Sequence, residues 1–87
     1  MKKIYEIAAL CEPLCQEAWS WRSSLTADKT LALEEFEQVA LNFGSFELRE
    51  IEVPAAFDFQ AYCHGNKEMQ DMFRVAYNAG YKVLRRK

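Results

Sequence analysis

The amino-acid sequence predicts a mostly α-helical fold: a small bundle of three main helices and one short helix, with an irregular or bulged-strand connector at about 45–54. Three observations predict it. Residues 4–22 are apolar around about half a helical circumference, residues 27–43 carry one apolar stripe, and residues 67–86 carry another. The chain has 87 residues, which suits one domain spanning 1–87. Its 51% hydrophobic and 14% aromatic content favours a packed core over a disordered tail.

The first helix is expected over about 3–22. Stepping roughly 100° per residue, Leu10, Trp21, Leu14, Ile7, Ala18, Cys11, Ile4, Cys15, Ala8 and Trp19 share one side. Glu6, Glu12, Gln16, Glu17 and Ser20 fall opposite. An arc this wide exceeds what one packing partner covers. Pro13 kinks this helix, or splits it into two with Pro13 in the first turn of the second.

Ser23, Ser24 and Thr26 offer N-caps for a second helix over about 27–43. Its core face is Ala32, Leu33, Phe36, Val39, Ala40 and Phe43, and Gly44 closes it. In 45–54, Phe46 and Leu48 alternate with charge, as do Ile51 and Val53, but the two pairs are out of phase. That fits a bulged strand or an extended connector, with Val53 held extended by Pro54. A lone strand needs a partner edge, a symmetry mate or a further strand. A short helix follows over 55–63, closed by Gly65. Asn66 caps the last helix, 67–86, whose apolar side is Met69, Met72, Phe73, Ala76, Ala79, Gly80, Val83 and Leu84. Gly80 on that side implies close approach to another helix.

Charge is unevenly divided. Residues 1–58 hold five Lys/Arg against eleven Asp/Glu, a net −6, and residues 59–87 hold six against two, a net +4. Such polarity orients a protein on a partner, or forms two solvated faces. Glu6, Glu12 and Glu17 interrupt what would be the apolar stretch of a leader after Met1, Lys2 and Lys3. No run approaches the ~18 apolar residues of a membrane span. The reading is cytoplasmic, with no membrane. Three cysteines, an odd number, agree with it.

Cys11, Cys15, Cys63 and His64 could number four zinc ligands. Cys11 and Cys15, however, lie at the centre of an apolar arc, and adjacent Cys63 and His64 diverge by about 100° on a helix. They read as core cysteines, with no metal and no cofactor. The single histidine forms no nucleophile–base pair, and no phosphate-binding or zinc-hydrolase motif occurs, so the chain reads as non-enzymatic. Val39, Ala40, Phe43 and Gly44 begin like a helix-turn-helix. The match then fails at Glu50, and Glu47, Glu50 and Glu52 do not suit a groove-reading helix.

Two functional classes stand. The first is a protein-binding domain, an adaptor or inhibitor acting by occupying a surface. Its contact comprises Trp19, Trp21, Leu31, Glu34, Glu35, Glu37 and Leu41, because tryptophans at the edge of a core anchor interfaces and exposed leucines among acids make a docking patch. The alternative is that the short helix covers those leucines. One form of the first class is a phage- or plasmid-type anti-defence inhibitor of a nucleic-acid-handling complex, its acids standing in for phosphates. The second class binds nucleic acid through Lys67, Arg74, Tyr81, Lys82 and Arg85 on the outer side of the last helix. A homodimer, burying the wide face of the first helix and 46–53, competes with both.

Overall fold

The computed structural model describes residues 1–9, 24–42 and 46–86, with the backbone alone at 9 and 40–42. The chain is not a helical bundle. It forms β1 (Lys2–Ala9), β2 (Ser24–Thr26), α1 (Lys29–Asn42), β3 (Phe46–Val53), α2 (Phe59–Cys63), α3 (Lys67–Ala79) and β4 (Lys82–Arg86). The strands make one antiparallel sheet in the order β2-β1-β3-β4. α1 covers one face, and α2 with α3 covers the other.

Strand parity explains this layering. In the register of β1 and β3, Ile7 stands opposite Leu48 and Ile4 opposite Ile51. Side chains alternate between faces, so Tyr5, Ile7, Phe46 and Leu48 share one face. There they pack with Ala32 and Phe36 of α1. Ile4, Ile51 and Val53 share the other, with Phe57 and Phe73. The out-of-phase pairs of the connector are therefore no bulge in β3. They are a hand-over from one covered face to the other. The extra residue sits in β4, where the register shifts between Leu48, opposite Arg85, and Arg49, opposite Val83. Leu84 is the unpaired residue. It packs on the α1 side, and Arg85 also reaches that side to bond Glu37 of α1.

The helical expectation fails at both ends of the described chain, for different reasons. β1 is covered on both faces, so Ile4, Tyr5, Ile7 and Ala8 are all buried. A strand buried on two sides reads as a near-continuous apolar run, which periodicity does not separate from a buried helix. β4 was read as the end of the last helix, but Gly80 ends that helix with φ 126° and ψ 159°. This is a region that glycine alone enters readily. A Cβ at Gly80 would meet nothing within 4 Å, so the residue serves the backbone turn and not a close helix approach.

The three described helices lie near their expected places. Asp28 caps α1, its Oδ1 accepting from the amides of Thr30 and Leu31 at 2.9 and 3.2 Å. Thr26 supports the cap by accepting from the Asp28 amide. Asp58 caps α2 and Asn66 caps α3, each satisfying amides that the first turn leaves without a carbonyl. Pro13, Cys11, Cys15, Phe43 and Gly44 lie outside the described residues, and of Ala40 only the backbone is described.

Candidate functional site

Among the described residues a concavity lies where α1 meets the edge strand β2. Ala32 and Phe36 point α1 at the sheet and are fully buried. At about 100° per residue, Val39, Glu35, Leu31, Gln38 and Glu34 then follow one another around a single flank. Ser24 and Thr26 pair with Ile7 and Tyr5, so they face the same side as α1. Ser24 Oγ donates to Glu35 Oε2 at 2.8 Å and ties strand to helix. Between them opens a groove of about 530 Å³, lined by Ser24, Leu31, Glu34, Glu35, Gln38 and Val39. Leu31 is 43% exposed at its rim.

Three of the expected contact residues, Leu31, Glu34 and Glu35, thus come together. Glu37 projects from the opposite flank of α1 and accepts from Arg85 Nη1 at 2.7 Å. Leu41 belongs to the last turn of α1, its side chain outside the described residues, and Trp19 and Trp21 lie outside them altogether. The short helix does not cover Leu31: α2 packs on the far face of the sheet, with Phe57 and Phe73.

A second constellation escaped the sequence reading. On the α3 face, Glu6, Glu47 and Arg49 stand side by side because Glu6 pairs with Arg49 across the strands and Glu47 lies two residues along β3. Arg49 donates from Nε to Glu47 at 2.6 Å and from Nη1 to Glu6 at 3.2 Å, and also to the Tyr77 hydroxyl. Tyr77 donates to Glu6 at 3.1 Å. Arg86 closes the cluster, its Nη2 2.8 Å from Glu47 Oε1, and the Tyr81 ring lies 4.5 Å from the Arg49 guanidinium carbon in cation–π range. Glu47 is only 3% exposed. The Arg49 hydrogen bond, with help from Arg86, holds its carboxyl below the usual carboxylate range. Burial, then the charge of Glu6, pushes the Tyr77 hydroxyl up. Two carboxylates meet two guanidiniums, so the charges balance. The cluster locks α3 and β4 to the sheet. Its one sequence signal is the Glu47-x-Arg49 spacing, which puts opposite charges on one face of a strand.

The expected nucleic-acid residues are distributed over two elements. Lys67 is in the first turn of α3 and Arg74 bonds Asp71 at 2.7 Å. Tyr81 lies tilted against Tyr77, with ring centroids 5.3 Å apart, Lys82 opens β4, and Arg85 crosses to α1. Cys63 is a free, exposed thiol at the end of α2. Among the described residues no group of three or more His, Cys, Asp or Glu is arranged to hold a metal ion. No described helix is long and apolar enough to cross a membrane. Comparison with protein-family models, with curated proteins and with solved structures found no match.

Proposed function

We propose that this protein is a non-enzymatic binding domain that occupies the surface of a protein partner through the α1–β2 groove. The observation that carries the reading is the groove itself, with apolar lining at Leu31 and Val39 beside Glu34 and Glu35. Such a surface suits a basic segment carrying one apolar anchor: the apolar side chain supplies affinity and the acids supply orientation and partner choice. Mimicry of phosphates, as an inhibitor of a nucleic-acid-handling complex would need, has narrower support. Glu35 is bonded to Ser24 and Glu37 to Arg85, which leaves Glu34 as the exposed acid of the flank. Direct nucleic-acid binding has weaker support still, since Arg74 is matched by Asp71 and the expected basic residues are divided between α3 and β4.

The test is a tagged pull-down from nuclease-treated bacterial lysate, read by mass spectrometry, with wild type beside Leu31→Glu and Glu34→Lys. Both changes are on exposed positions and should shift stability by no more than about 0.5 kcal/mol. A stoichiometric protein captured by wild type and lost from both variants is the expected result. A partner retained at equal yield by Leu31→Glu would rule out the groove.

A further inference from the structure

We propose that β4 is a strand-addition edge for an acidic, extended segment of a partner protein. The inference does not rest on the groove, which lies at the opposite edge of the sheet. β4 ends the strand order, and among the described residues nothing pairs with its outer side. Lys82, Val83, Arg85 and Arg86 are exposed along it, with Leu84 half-buried. On either side of the Leu84 bulge the edge offers backbone donors and acceptors to an incoming strand.

Its charge selects the occupant. A second copy pairing antiparallel about Leu84 would set Lys82 against Arg86 of its mate, like charges directly across a ladder, which destabilises the pair. An acidic strand meets cations on both faces. Lys82, opposite Glu50, and Arg85 lie toward α1, while Arg86, opposite Glu47, lies toward α3. Among the described residues Lys82 makes no ion pair. Arg85 spends one N–H on Glu37 and Arg86 spends two on Glu47, of the five each guanidinium carries. Each arginine is therefore held in position by its own fold and keeps donors for a new carboxylate. Val83, 38% exposed, gives a β-branched contact between them. Nucleic acid is a poorer match, because it has no amide ladder to add.

The probe is a fluorescein-labelled peptide of about ten residues built of Glu-Glu-Val-Val repeats, so that both faces of the strand carry carboxylates, titrated against the whole chain in low salt by fluorescence anisotropy. Amide hydrogen exchange is followed in parallel. Binding of this peptide, with slowed exchange at β4 amides, is expected. The same peptide N-methylated at every residue, so that neither edge keeps its donors, should bind at least about tenfold more weakly, because several backbone bonds are lost together. Lys82→Glu, which leaves both arginine pairs intact, should weaken binding about three- to tenfold. The proposal is overturned if the acidic peptide fails to bind, if its Gln-for-Glu version binds equally, or if N-methylation changes nothing, which would mean charge attraction alone. A short oligothymidylate that binds more tightly and displaces the peptide would overturn it in favour of nucleic acid.

Discussion

Replacing Arg49 with Met tests the charge cluster most directly. Met keeps most of the aliphatic stem but removes every donor that Arg49 supplies. Glu47, with its side chain 4% exposed, then keeps only Arg86. Glu6 keeps only the Tyr77 hydroxyl among the bonds described, and Tyr81 loses the cation over its ring. Removing one partner of a buried pair costs about 3–5 kcal/mol, chiefly because the other charge is stranded. At roughly 4–8 °C per kcal/mol for a domain of this size, Tm should fall by about 12–40 °C. The assay is thermal and urea unfolding by circular dichroism on wild type, Arg49→Met, Glu47→Leu and the double variant. Because Arg86 is 69% exposed, freeing it costs little. The double variant should therefore recover at least about half of the Arg49→Met loss. A loss below about 1 kcal/mol for Arg49→Met, or simple additivity in the cycle, would refute the view that this cluster is desolvated and coupled.

Three further outcomes follow from the same geometry. Glu47 titrates below its usual 4.5 because Arg49 bonds it, so its contribution is fully present above that unfolded-state value. It is lost as pH falls through the depressed folded-state value, and acid unfolding of Glu47→Gln should show a shallower pH dependence than wild type. Gly80→Ala has open space for its methyl group but forces an L residue to φ 126°. It should cost about 1–3 kcal/mol through the backbone alone, read by urea unfolding, with the folded-state spectrum unchanged. Phe57 is fully buried and its ring lies 5.8 and 6.1 Å from Tyr62 and Phe73; Phe57→Ala should cost about 3–5 kcal/mol, measured by the same unfolding curves.

What was legible in the sequence was local. Of the core face expected for α1, Ala32, Leu33, Phe36, Val39, Ala40 and Phe43, the first four pack on the sheet and the side chains of the last two lie outside the described residues, and Asn66 caps α3 as its side chain chemistry suggests. These follow from one residue and its neighbours within a helical turn. β1 was illegible because both its faces are covered, which erases the alternation that marks a half-buried strand. β4 was misread because Val83 and Leu84 extend the apolar spacing of α3 past Gly80, and only the backbone angles at Gly80 separate the two. Of the candidate contact, the Leu31, Glu34 and Glu35 flank was legible as one helix surface. Its far wall, Ser24 on β2, was not, since it arrives through a strand pairing that spacing along the chain does not encode. The Glu6–Arg49 pair was hidden for the same reason.

The pairing of Lys2 with Val53 also dictates an order of events. β1 lies at the start of the chain, yet its long ladder is with β3, roughly fifty residues later. Until that stretch has left the ribosome, β1 has among the described residues only the three of β2 to pair with, and Ile4 lacks Ile51, Val53 and Phe57. Loop closure over such a span must be met before any contact offsets it, which slows folding relative to a bundle of local contacts. Until β3 is made, β1 is an apolar strand without its main ladder, and in that interval a chaperone or a premature association competes for it.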